Sequence, residues 1–137
     1  MVSAQQTLDQ QRANSAWQNV SAVKDRGDEK FEKKYSSLVK KAPMYILTNG
    51  LGQTLAFLKA KGKGKADNEH EVLYLHLSGW VGCQMSIKTS LLDWLLTQDS
   101  ATYRRATAEA LAYLNWLKRF AEAHLKSDEE ASGGENG

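Results

Sequence analysis

The chain of 137 residues contains one proline and one cysteine. A lone thiol, Cys83, excludes an internal disulfide, and with it the small secreted frameworks that depend on several bridges. No run of ~18 apolar residues occurs, so nothing reads as a membrane-spanning helix. The opening residues, MVSAQQTLDQQRAN, lack the apolar stretch of a secretory signal, which makes the cytoplasm the expected compartment. The alternation of β-branched residues that marks strands is nearly missing, and no segment repeats. With 42% hydrophobic and 25% charged residues, the chain can bury one core.

Net charge is +2, but it is unevenly spread. The segment after residue 126, SDEEASGGENG, carries Asp128, Glu129, Glu130 and Glu135 and no lysine or arginine. Without those four acids, 18 basic residues face 12 acidic ones, leaving +6 on residues 1–126. The expected organisation is a single helical domain over 1–126 and a disordered acidic tail over 127–137. A modestly basic body suits an anionic partner, though a solvated cationic surface is an equally common reason for such a balance.

Apolar residues recur at spacings of three and four. Ala13, Ala16, Trp17, Val20 and Val23 form one stripe, predicting a first helix over roughly 5–24. Phe31, Tyr35, Leu38 and Ala42 form a second, opened by the acidic Asp28-Glu29 pair. Pro43 is expected to end that helix or to open the next. Met44, Leu47, Leu51, Leu55 and Leu58 then continue at helical spacing through Asn49–Gly52. Residues 59–71, KAKGKGKADNEHE, read as a mobile basic loop, and Val72–Trp80 as a short fourth helix. Gly79, Gly82 and residues 85–88 read as a connection. Ser90 and Asp93 resemble a capping box for a short helix carrying Leu92, Leu95 and Leu96. Asp99-Ser100 caps a last helix over roughly 101–126, with Tyr103, Ala106, Ala110, Leu114, Leu117, Ala121 and His124/Leu125 on its core stripe. The fold class is all-α: a bundle of five to seven helices and no sheet.

Candidate sites are few. The stretch TNGLGQTLAFL (48–58) lacks the Gly-Lys-Ser/Thr of a phosphate loop, and Leu55 occupies the third glycine position of a dinucleotide fingerprint. Glycine inside a helix costs ~1 kcal/mol relative to alanine, so Gly50 and Gly52 read as close helix packing or a kink. A direct ligand contact there is the alternative. His70, His76 and His124 never stand four residues apart and Cys83 has no CxxC partner, so no metal site is expected. A buried small thiol is the ordinary role for that cysteine. Asp93, Glu109 and Glu122 read as isolated carboxylates, solvated or capping. No catalytic constellation and no cofactor motif appears. Trp17, Trp80, Trp94 and Trp116 lie in or beside apolar stripes and read as packing residues before base-stacking ones.

Basic pairs are more informative: Lys33-Lys34, Lys40-Lys41, Arg104-Arg105 and Lys118-Arg119 on helices, with Lys59, Lys61, Lys63 and Lys65 in the loop. Arg104 and Lys118 are fourteen residues apart, near four helical turns, and share a side of the last helix. Such a row can follow a phosphate backbone or can simply be a solvated face.

Three stretches carry a resemblance to a known family. They are Arg12–Trp17 (RANSAW), Lys34–Pro43 (KYSSLVKKAP) running into Ile46–Leu58 (ILTNGLGQTLAFL), and Tyr103–Glu122 (YRRATAEALAYLNWLKRFAE). Together they resemble the small, all-helical subunit of the type III-B CRISPR effector, the Cmr complex. The resemblance covers roughly residues 8–125 and fails in the Lys/Gly loop and the acidic tail. It implies a non-catalytic bundle that stacks in several copies as an inner filament and lines the target-strand side of the guide–target RNA duplex. The implied partners are the large subunit, the backbone subunits, further copies of itself and that duplex, with no membrane and no small-molecule substrate. Carried onto this sequence, it points to Lys40, Lys41, Arg104 and Arg105 for phosphate contact, with Lys118 and Arg119 next. Two other readings stay open: a purely structural module whose basic rows meet acidic partner subunits, and a helical hydrolase, which the lack of paired catalytic groups disfavours.

Overall fold

The computed structural model describes residues 6–128, and within them the chain forms six helices and no strand. These are α1 (Leu8–Asp25), α2 (Glu29–Asn49), α3 (Leu51–Gly62), α4 (Glu69–Gln84), α5 (Leu91–Leu95) and α6 (Ser100–His124). The all-α reading therefore holds.

Most helix starts follow from local chemistry. Thr7 and Gln10 form a reciprocal capping box on α1, with bonds of 3.1 and 2.9 Å. Asp28, Asn68, Ser90 and Asp99 each accept a backbone N–H from the first turn of α2, α4, α5 and α6. α6 packs along both α1 and α2, α3 pairs with α4, and α2 joins the two pairs. The core runs through all of them: Val20 and Val23, Tyr35 and Val39, Leu51 and Leu55, Leu73 and Leu77, Leu91 and Leu95, and Tyr113, Leu114 and Leu117 are buried. Of the expected last stripe, Ala106, Ala110, Leu114, Leu117 and Ala121 are buried and Tyr103 lies half-buried.

Four expectations are overturned. Pro43 neither ends nor opens a helix; it sits inside α2. It offers no N–H to the Val39 carbonyl, yet the buried Val39, Ala42 and Ile46 hold both halves of α2 against the core. Packing of that face outweighs the lost bond. Conversely, the helical spacing through Asn49–Gly52 hides a break. Gly50 has φ +89° and ψ 159°, a region open essentially to glycine alone, and ends α2 while starting α3. Its N–H donates to Ile46 O at 2.7 Å and its carbonyl accepts from the Thr54 N–H at 3.2 Å, so one residue closes one helix and opens the next.

The basic loop is shorter than expected. α3 extends to Gly62 and α4 begins at Glu69, leaving residues 63–68 between them. A Cβ on Gly62 would lie 2.6 Å from the Glu71 nitrogen, so this glycine is where two backbones meet. Buried Glu71 holds the turn by accepting from the Gly64 N–H at 3.1 Å and from Lys59 Nζ at 3.3 Å. Lastly, Gly79 and Gly82 lie within α4 and are not part of a connection; the chain leaves α4 after Gln84. The expected tail lies outside the described residues from 129 onward.

Candidate nucleic-acid interface

α2 carries five lysines, Lys30, Lys33, Lys34, Lys40 and Lys41. Their spacing of three, four and seven gathers them on one outward side of the helix, around Ser37. Where that side faces the C-terminal half of α6, an open groove of about 740 Å³ is lined by Lys33, Ser37, Lys40, Lys41 and Met44 from α2 and by Lys118 and Glu122 from α6. Ser36 forms part of the wall and is itself held, donating to the Lys126 carbonyl at 3.1 Å. A second, shallower groove of about 410 Å³ flanks the other side of the row, lined by Lys30, Lys33, Lys34, Lys41, Tyr45 and His70 among others. Cations dominate both, relieved by Glu122 and Asp128 in the first and Glu69 and Asp128 in the second.

Of the residues singled out from sequence, Lys40, Lys41 and Lys118 thus meet in one groove. Arg119 is exposed on the next position of α6 and approaches Glu122 at 3.7 Å, a surface pair of little energetic weight. Arg104 and Arg105 are exposed near the start of α6, outside both grooves. At ~1.5 Å per residue Arg104 lies some 21 Å along the axis from Lys118. Lys33 belongs to the groove as much as Lys40 does, and its signal was the three-and-four lysine spacing of α2. Lys59 in the former loop is tied to Glu71 and lies 4.8 Å from the centre of the Tyr74 ring, which gives it a structural role. Lys61, Lys63 and Lys65 are exposed.

Gly50 and Gly52 lie elsewhere, at the joint of α2 and α3. Because Gly50 has no side chain to cap α3, the Gly52 N–H donates instead to Tyr103 Oη of α6 at 2.7 Å. A Cβ at Gly52 would stand 3.1 Å from that hydroxyl. The nearest neighbour of this glycine is thus a side chain of α6.

The opposite side of α6 is closed by charge. Glu109, which reads as an isolated carboxylate in sequence, is bound bidentately by Arg12 of α1, at 2.6 Å from Nε and 3.0 Å from Nη2. Trp80 Nε1 of α4 donates to the same carboxylate at 2.6 Å. Arg12 also reaches Asp9 at 2.7 Å, and Trp116 Nε1 donates to Asp9 at 3.0 Å. The Arg12 hydrogen bonds, ahead of that from Trp80, hold the Glu109 carboxyl below the usual range; burial opposes them. Asp9 is lowered too, chiefly by the Trp116 indole and then by Arg12. Trp80 and Trp116 thus orient carboxylates, while Trp17 is half-exposed against Phe120 and His124.

Among the described residues, His76 and Cys83 have separate surroundings. His76 lies under α2, where Tyr35 Oη meets its Nδ1 at 2.7 Å. Burial, helped by the Arg26 charge, lowers the His76 pKa to about 4, so it is neutral at physiological pH. Cys83 is exposed, against the buried thiol expected. No group of three or more His, Cys, Asp or Glu side chains fit to hold a metal occurs among the described residues. Nor is any described helix long and apolar enough to cross a membrane.

This is a small helical protein that carries an open, lysine-lined groove between two long helices. The family described as "CRISPR-associated protein (Cas_Cmr5)" matches residues 8–124, nearly the whole described chain. The chain belongs to that family. It is 32% identical over 127 residues to the CRISPR system Cmr subunit Cmr5 of Thermotoga maritima, covering 90% of this chain and 88% of that one. It is 30% identical over 92 residues to the protein of the same description from Thermus thermophilus, covering 67% and 75%. A crystal structure of a CRISPR-associated Cmr5 family protein from Thermus thermophilus superposes with a TM-score of 0.71 at 28% identity, covering 88% of this chain and all of that one.

Proposed function

We propose that the chain is a non-catalytic small subunit of the type III-B CRISPR effector, the Cmr complex, acting in the cytoplasm in antiviral defence. Copies stack as an inner filament beside the backbone subunits and line the target-RNA side of the guide–target duplex. Kinship to proteins described as Cmr subunits supports the assembly. The observation that carries the RNA role is the meeting of Lys33, Lys40 and Lys41 of α2 with Lys118 of α6 in one open groove. Ammonium groups on flexible stems bind phosphate as point charges and read no base. That suits a subunit of a complex in which base pairing supplies the sequence specificity. Arg104, Arg105 and Arg119 extend the same helix as secondary phosphate contacts.

A second reading, a module that meets acidic partner subunits without touching RNA, draws support from Met44 and Leu47, which are 64% and 69% exposed beside the lysines. Cationic and apolar groups side by side suit a protein surface. Lys33→Ala/Lys41→Ala/Lys118→Ala in the assembled complex separates the two. The RNA reading expects intact assembly and target-RNA retention weakened about tenfold near physiological salt. Loss of the subunit from the complex, with RNA retention normal in whatever assembles, would favour the module.

A further inference from the structure

The break at Gly50 lets the last turns of α2 meet α3. Tyr45 of α2 stands against Phe57 of α3, with ring centres 5.4 Å apart and planes at 66°. Tyr45 and Asn49 are four residues apart on α2, and Gln53 and Phe57 four apart on α3. Each helix therefore turns one ring and one carboxamide to the same side. Together with Thr54 they line an opening of about 310 Å³, at the lower end of the sizes that hold small ligands. Thr54 is engaged, its hydroxyl donating to the Gly50 carbonyl at 2.9 Å. The Asn49 and Gln53 side chains are exposed, and no hydrogen bond among the described residues uses either carboxamide.

This opening adjoins the smaller lysine groove. Tyr45 lines both, and Lys34, Lys41 and His70 line the groove beside it. His70 stands edge-on to Phe57, with ring centres 5.5 Å apart and planes at 80°. Lys41 precedes Tyr45 by one turn, about 6 Å of helix axis. A crossed pair of rings, two open carboxamides and a cation one turn away complement the three parts of a nucleotide: base face, base edge and phosphate. A peptide could use the rings and amides, but the adjoining row of cations favours an occupant that brings its own anion.

We propose that the pocket of Tyr45, Asn49, Gln53 and Phe57 takes an unpaired base of single-stranded RNA, with the phosphate of that nucleotide on Lys41. Adenine suits it best, because its N6 and N7 match the acceptor and donor of a carboxamide. The inference rests on the reading of this subunit as one that touches RNA, but not on the α2–α6 groove itself.

The test uses the full chain and two strands of equal length, oligoadenosine RNA and an abasic sugar–phosphate strand. The parent binds oligoadenosine roughly tenfold more tightly. Phe57→Leu, which keeps an apolar side chain but no aromatic face, removes most of that preference. So does Asn49→Ala/Gln53→Ala, on exposed residues whose loss spares the fold. Neither variant changes the salt dependence, since no cation is lost. No preference in the parent, or a preference that both variants keep, overturns the pocket. Lys40→Ala/Lys118→Ala, on the α6 side, weakens both strands alike and lowers the salt slope. If it does neither while the base preference persists, the groove reading fails and the pocket stands. Loss of Asn49→Ala/Gln53→Ala from the assembled complex, with its base preference intact, gives the pocket to a partner polypeptide and overturns the proposal.

Discussion

Along α6, the side that meets α1 and the side that meets α2 treat charge in different ways. Against α1, Arg12 is satisfied by Glu109 and Asp9, each carboxylate also takes an indole N–H, and the Arg12 and Glu109 side chains are 13% exposed. Against α2, Lys33, Lys40, Lys41 and Lys118 line an open groove whose acidic lining is Glu122 and Asp128. Charges matched within one chain close a seam and hold the fold. A seam lined mainly by cations suits an anionic partner. Stability lies with the first side of the helix, and the function proposed above with the second.

The largest expected effect comes from unmatching the closed seam. Arg12→Ala strands a partly buried Glu109 and costs about 2–4 kcal/mol, read as a lower denaturation midpoint. The same variant leaves RNA binding by the folded protein unchanged, and a selective loss of RNA binding would collapse the distinction between the seams. The groove side is tied to the core from beneath by a neutral contact, Tyr35 with His76, which acid should break. The folded His76 pKa of about 4 lies below the ordinary 6.5. Its contribution is thus complete above pH 6.5 and lost as pH falls towards 4, up to about 3 kcal/mol over that window. Thermal melts from pH 7.5 to 4 show the decline, and His76→Phe flattens it. The lowered Glu109 acts in the same direction but only near and below its ordinary 4.5, so the closed seam fails later on acidification.

Gly62→Ala lies in neither seam. Its new methyl meets the Glu71 backbone and costs about 1–3 kcal/mol, with the RNA affinity of the folded form unaltered. The smallest stability effect belongs to the groove itself. Lys33→Ala and Lys41→Ala, on lysines at the protein surface, shift the midpoint by within about 0.5 kcal/mol while reducing RNA binding. A large stability loss there would place those lysines in the fold's support.

The sequence discloses these parts unequally, for physical reasons. Helix periodicity and the Ser90 and Asp99 caps are local, so the helices and the start of α6 were legible. The basic pairs of α2 are local too, and the family resemblance singled out Lys40 and Lys41 among them. Pro43 and Gly50 misled because each was judged by a single rule. Packing of Val39, Ala42 and Ile46 overrode the proline, while the apolar spacing of Leu47, Leu51 and Leu55 concealed a residue at φ +89°. Glu109 looked solitary because its partner Arg12 stands 97 residues away. Tyr103 as the cap of α3 is equally non-local, at 51 residues from Gly52. Gly62 passed as loop, although it makes the closest backbone approach of any glycine described.

The central claim is that the open α2–α6 seam holds phosphate. It is tested most directly by the salt dependence of target-RNA binding by the assembled complex, with the parent subunit and with Lys33→Ala/Lys41→Ala/Lys118→Ala. Each lost phosphate contact on a single strand lowers the slope of log K against log salt by ~0.7, so three should lower it by about 2. A slope unchanged within error, in a complex that still contains the subunit, would contradict the account.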